Sequence, residues 1–284
     1  MAATTEARED RPARRLIINA DDFGFTPGVT AGILEAHAAG SVTSTSMMVH
    51  CPGWMDAVRR ARDYPTLGIG LHFNLLVGVP LTPATSLCRA DGAFLSLGAL
   101  TRRALAGTVR THDVRVECEA QLDALADAGI RATHIDSHRH THALPGVHAA
   151  VAGIAAARGL PLRRPIEGWH PLRRRPAGWM RDTVVAWSWR AASMDGHAAR
   201  AADHFAGLSL QGRRQFGSGL ARLLDALPPG TTELMVHPGR VDEALAAVDP
   251  YTWQREIERD VLTGPALSER LRRGDLVLTS FGAL

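Results

Sequence analysis

Lysine is missing altogether: all 32 basic side chains of this 284-residue chain are arginine. Schiff-base and pyridoxal-phosphate chemistry are thereby excluded, as is the phosphate-cradling lysine of a P-loop. An all-arginine basic set is otherwise what a GC-rich coding composition produces. Cysteine is scarce as well. Cys51, Cys88 and Cys118 are odd in number and share no CxxC spacing, which leaves neither a disulfide framework nor a thiolate zinc cluster. Cys51 and Cys118 lie in apolar-patterned segments and read as packing residues. Long hydrophobic runs are also lacking. The most apolar stretch, Ala143 to Ala157, carries Pro145, Gly146, His148 and Gly153, poor material for a membrane span. The first 14 residues are polar and charged, without the apolar run of a secretory signal. A mobile tail over 1–14, a single domain over 15–284 and a cytoplasmic protein are expected.

Hydrophobic residues make up 45% and charged residues 21%, the balance of an ordinary globular protein. Although the pI is about 9.1, the net charge is only +3. No nucleic-acid-binding fingerprint accompanies it, so scattered solvated arginines account for it and no nucleic-acid partner is expected.

Short apolar strands alternate with longer amphipathic stretches, the pattern of an α/β protein with a mainly parallel sheet or barrel. Strands are expected at Arg15–Ala20, Ser44–His50, Leu67–His72, Ala132–Asp136, Leu160–Arg163, Glu233–His237 and Asp275–Thr279. Helices are expected at Thr26–Ala39, with Thr26 as N-cap and Pro27 at the first helical position, and at Trp54–Arg62, Leu97–Ala106, Thr111–Ala128, Gly146–Arg158, Phe216–Leu227 and Thr252–Leu262. The segment 164–212 reads as an irregular insertion. It holds four of the six tryptophans, Trp169, Trp179, Trp187 and Trp189, and the basic run Arg173–Arg175.

Several expected strands end in chemically capable residues: Asp21-Asp22, His72, Asp136-Ser137-His138 and His237. In a parallel barrel such ends converge on one face. Two adjacent carboxylates after a buried strand are costly unless something cationic compensates them. One could ligate a metal while the other accepts a proton; alternatively the pair caps the next helix. His72 alone suits a buried, satisfied residue as well as a ligand. The segment from His134 to His142 places four histidines, at 134, 138, 140 and 142, within nine positions, which packing does not explain. Imidazole with carboxylate suits zinc or a related divalent ion. Those histidines that are not ligands could orient the ligands, line the substrate site or have no special role. His237 is a candidate general acid, or a buried histidine bonded to backbone.

The motifs NADDFG, VTSTSMMV, LGIGLHFNL, THIDSHRHTH and ELMVHPG, in this order and spacing, resemble the YdjC-like carbohydrate deacetylases, the family of chitooligosaccharide deacetylase and of hopanoid-associated (HpnK-type) deacetylases. The resemblance runs from about Arg15 to Phe281. It implies a distorted (β/α) barrel related to the polysaccharide-deacetylase fold, a metal-dependent reaction that releases acetate from an N-acetylated amino sugar, and a homodimer. It also implies Asp22, His72 and His138 as ligands of one divalent ion, zinc before magnesium or another metal. Asp21 then corresponds to the base, Arg164 to the arginine that orients it, with Arg163 a neighbouring rival, and His237 to the acid on the leaving amine. Phe73, His140, His142 and Trp169 are the candidate substrate contacts, and the tryptophans of the insertion are expected to stack on sugar rings. Asp136-Ser137-His138, where the hopanoid branch reads Asn-Ala-His, favours the oligosaccharide branch. Two other readings stand beside this one: a metal hydrolase of a different amide or ester, and a sugar-binding relative without catalysis.

Overall fold

A computed structural model describes residues 13–168, 185–190 and 199–284. Its centre is β1 (Arg14–Phe23), whose residues from Leu16 to Phe23 are all buried, the near-continuous apolar reading of a parallel strand covered on both faces. Around it lie β2 (Ser44–Met47), β3 (Gly68–Phe73), β4 (Ile135–Ser137), β5 (His204–Ala206), β6 (Gly230–Val236) and β7 (Val277–Leu278). Their order is β4-β3-β2-β1-β6-β5, with β7 beside the start of β1, and every pairing is parallel. The sheet forms a half-barrel with helices around it.

These helices are α1 (Pro27–Ala38), α2 (Trp54–Ala61), α3 (Leu97–Leu105), α4 (Thr111–Asp127), α5 (His148–Arg158), α6 (Phe216–Asp225), α7 (Glu243–Val248), α8 (Trp253–Leu262) and α9 (Pro265–Leu271). Residues 185–190 are also helical. Thr26 caps α1 as expected, its side chain accepting from the Val29 N–H. One apolar cluster runs from Leu16 to Leu276 and joins sheet and helices. No helix among the described residues is long and apolar enough to cross a membrane.

Three expectations need correction. Leu160–Arg163 is not a full strand but a single bridge of Leu162 to Ile135, because Pro161 has no N–H with which to extend the ladder. Within 164–212, His204–Ala206 is regular and pairs with Thr232–Leu234 as β5; three residues are too few to show an alternation. Helices α7 and α9 were not foreseen, being only six and seven residues long. Residues 1–12, Trp169 and Trp179 lie outside the described residues.

Candidate active site

The pairing of β1 with β2 explains how two neighbouring aspartates serve one cavity. Ala20 pairs with Thr45 and Phe23 with Met47, so three steps along β1 match two along β2. This bulge breaks the alternation that would send adjacent side chains to opposite faces. Asp22 takes up the slack in the left-handed region, at φ 73°, a conformation that aspartate tolerates better than most residues. Both carboxylates then line a cavity of about 780 Å³, together with His72, His138, His140 and His237. That volume lies within the ~300–1,000 Å³ usual for small-molecule sites.

Asp22 stands at the centre. Its Oδ1 lies 2.9 Å from His138 Nδ1 and 3.1 Å from His72 Nε2, while Oδ2 accepts from Arg255 Nη2 at 2.6 Å. One donor atom from each of Asp22, His72 and His138 falls within 4.8 Å of the others. The far nitrogen of His72, Nδ1, donates to Asp136 Oδ1 at 2.7 Å, and Ser46 Oγ donates to the other oxygen of Asp136 at 2.8 Å. That leaves Nε2 pointed at the cavity, the carboxylate–histidine arrangement that fixes a ligating ring. Burial alone would lower the His72 pKa, yet the carboxylates of Asp136, Asp22 and Asp21 raise it to about 10. The same carboxylates favour positive charge where a cation would sit, so one carboxylate oxygen and two imidazole nitrogens fit a divalent ion of the zinc type.

Asp21 is held differently. Arg163 grips it with both terminal nitrogens, Nη1 to Oδ2 at 2.6 Å and Nη2 to Oδ1 at 2.7 Å, and Asn19 Nδ2 donates to Oδ1 at 2.9 Å. Fully buried, the same guanidinium reaches Asp136 at 2.8 Å and, through Nε, Glu233 at 2.6 Å. Burial pushes the Glu233 carboxyl up to about 7 even against Arg163. Asp21, His72 and Asp136 also cluster closely enough to suggest a second cation site, but Arg163 already sits between the two carboxylates.

The expected Arg164 is corrected to Arg163. Arg164 is exposed and donates to the Asp203 carbonyl, and alternation along the extended segment explains why only its predecessor turns inward. His237 Nε2 lies 3.9 Å from Asp21 Oδ2, while its backbone N–H donates to Glu258 at 2.6 Å. Burial lowers the pKa of its ring against the pull of Asp21, Glu258 and Asp22, which favours the neutral form.

The histidine cluster divides into four fates. His138 joins Asp22, and His140 lines the cavity edge-on to Phe205 at 5.9 Å. His142 is not a substrate contact: it is fully buried, with Nδ1 against Ser137 Oγ at 2.5 Å and Nε2 donating to the Arg163 carbonyl at 3.0 Å. It braces the backbone of the arginine that grips Asp21. His134 lies stacked on Phe281 at 3.9 Å, over Gly70, where an added Cβ would come within 2.4 Å of the ring. Phe73 is likewise no substrate contact. It is fully buried in the apolar cluster, on the face of β3 opposite His72.

Trp189 packs on His148 at 4.4 Å and His142 at 5.7 Å, while the exposed Trp187 is not among the residues lining the cavity. Neither offers a platform for a sugar there. The reading of isolated motifs missed Ser46, Glu233, Asp249, Tyr251, Arg255 and Glu258. Glu233 left one trace, as an acid inside an apolar strand run; Arg255, on an ordinary charged helix, left none.

The chain is similar to known proteins both in sequence and in structure. The family model described as YdjC-like protein matches residues 15–273. A carbohydrate deacetylase from Geobacillus stearothermophilus is 36% identical over 273 residues, covering 94% of this chain and 96% of its own. The carbohydrate deacetylase of Homo sapiens is 35% identical over 96% of this chain and 92% of its own, and a chitooligosaccharide deacetylase from an Enterobacter species is 32% identical over 94% and 97%. Among solved structures, a candidate cellobiose-phosphate cleavage protein from Enterococcus faecalis V583 superposes with a TM-score of 0.76 at 27% identity, covering 95% of this chain and 98% of that one.

Proposed function

The chain belongs to the YdjC-like family, and from that premise we propose that it hydrolyses the acetamide of an N-acetylated amino sugar, releasing acetate and the free amine. The observation that carries this is the meeting of an Asp22–His72–His138 triplet with a separately clamped carboxylate, Asp21, in one cavity. Curated relatives of nearly the same length are carbohydrate deacetylases, and their substrate class is carried over on that ground.

A divalent ion on Asp22, His72 and His138, zinc being best suited to that donor set, would polarise the amide carbonyl and lower the pKa of water toward roughly 7. Asp21 takes the proton of the attacking water. Arg163 and Asn19 hold its two oxygens in place, so the base loses little orientation entropy as the proton arrives. His237 enters neutral and is the nearest titratable ring to Asp21 Oδ2. It takes over the proton that Asp21 has drawn from the water and delivers it to the amide nitrogen, which departs as the amine while the acyl carbon leaves as acetate.

Acetate release from N-acetylated di- and trisaccharides, with and without chelator, tests the reading. Asp21→Asn is expected to abolish release while retaining bound zinc, and Asp22→Asn to lose the zinc. Turnover that survives both the chelator and Asp21→Asn would refute the proposal. Activity confined to simple esters would favour a different hydrolase on the same barrel.

A further inference from the structure

The Asp22 carboxylate has two oxygens, and only one of them faces the imidazoles. The other accepts from Arg255 Nη2 at 2.6 Å, both side chains being almost fully buried. Arg255 stands in the first turn of α8, and it is fixed there twice more, by Nη2 to Asp249 Oδ2 at 3.0 Å and by Nε to the Tyr251 carbonyl at 3.0 Å. The other oxygen of Asp249 accepts from Arg139 Nη2 at 3.2 Å. Arg139 directly follows His138, whose Nδ1 lies 2.9 Å from Asp22 Oδ1.

The contacts therefore close a ring, from Asp22 through Arg255, Asp249 and Arg139 to His138 and back to Asp22. Two features show that this ring is held under constraint. Arg139 and His140 are both left-handed, at φ 54° and 57°, which non-glycine residues adopt at a cost. Arg255 Nη1 is buried without a hydrogen-bond partner, a further cost of desolvation. Packing alone would be served as well by an apolar side chain of similar volume.

We propose that Arg255, braced by Asp249, is the positioning residue of the metal ligand Asp22: it occupies Oδ2, confines the carboxylate to one ligating oxygen, and through the Arg139 arm ties His138 to the same frame. A carboxylate free at Oδ2 would turn and chelate with both oxygens, taking a coordination position that water or substrate needs. The inference rests on the metal reading above and fails separately from it.

Zinc affinity, measured by competition with a chromophoric chelator, and the visible absorption of the cobalt(II)-loaded protein test it in full-length variants. Wild-type protein is expected to bind one zinc; no binding would refute the metal reading itself. Arg255→Met is expected to raise the zinc Kd by about 10- to 100-fold, the usual effect of removing a partner of a metal ligand, and to shift the cobalt spectrum toward higher coordination number. Arg255→Lys, which keeps the charge and loses the fixed fork, is expected to fall between the two. Asp249→Asn leaves the guanidinium in place and decides the matter should Arg255→Met not fold; it is expected to weaken zinc by a smaller factor in the same direction. Variants with wild-type zinc affinity and an unchanged cobalt spectrum would overturn the proposal.

Discussion

At the residue scale, the two arginines in sequence at 163 and 164 separate orientation from mere charge. Both carry the same side chain, yet one is fully buried on three carboxylates and the other is exposed. Local reading could not choose between them, because choosing requires knowing which way a short extended segment faces. Its flanking bonds, the Arg163 N–H to the Ile135 carbonyl and the Arg163 carbonyl from His142, are tertiary. Arg163→Lys keeps the charge but cannot grip both oxygens of Asp21. It is expected to lower kcat by about 100-fold, the scale of an ångström misplacement at a reacting group, with KM little changed. Arg164→Ala is expected to stay within about threefold of wild type, as surface changes do. Steady-state kinetics on one acetylated disaccharide compares the two; equal losses would refute the assignment of Arg163.

At the scale of elements, α4 shows why a helix can be called correctly and its purpose missed. Its length and ends agree with expectation to within a residue, but beside the apolar face of Val114, Cys118, Leu122 and Leu125 it buries a polar one. Asp113, Glu117 and Gln121, spaced four apart, form one stripe, and each is buried. Asp113 Oδ2 accepts the Ser86 N–H at 2.9 Å, and Glu117 accepts the N–H groups of Leu81 and Thr82 at 3.1 and 3.0 Å. Gln121 bonds both the N–H and the carbonyl of Asn74. The stripe pins the long connection that leaves β3 just after His72.

The pKa of Asp113 gives this a measurable form. Burial would raise it, but the hydrogen bonds from Ser86 and the Arg110 guanidinium outweigh burial and hold the value below the usual 3.8. A carboxyl depressed in the folded state contributes stability in full above its unfolded pKa and loses it as pH falls through the folded value. Asp113→Asn is therefore expected to cost about 1.5–3 kcal/mol at pH 7, the worth of a charge-assisted hydrogen bond, and the difference from wild type should shrink below about pH 4. Urea unfolding at pH 7 and pH 3 measures it. A gap that is unchanged or wider at pH 3 would sink the argument.

At the scale of the whole molecule, what was legible were strand ends; what was hidden were the lateral links between them. Asp21, Asp22, His72, His138 and His237 each sit at or just past the C-terminal end of a strand, and parallel topology brings such ends together whatever the side chains do. The partners that hold them sit mid-strand, as Ser46 and Glu233 do, or on a far helix, as Arg255 and Glu258 do, where neither period nor motif marks them. Those partners have a consequence for folding. Asp21, Asp22, Asp136 and Glu233 are buried close together, yet Arg163, Arg255 and the raised pKa of His72 already compensate them. The sheet should then form without a cation, unlike small domains whose fold depends on metal. Chelated protein is expected to keep its far-ultraviolet circular dichroism while losing acetate release. Binding to the folded state alone still adds stability, about 2.7 kcal/mol at a free zinc concentration 100 times Kd, or roughly 5 °C in unfolding midpoint for a chain of this size. Calorimetric scans of chelated and zinc-loaded protein decide between the possibilities: a chelated protein that has no folded baseline would mean that the arginines do not compensate the carboxylates, and identical midpoints would mean that no ion binds the native site.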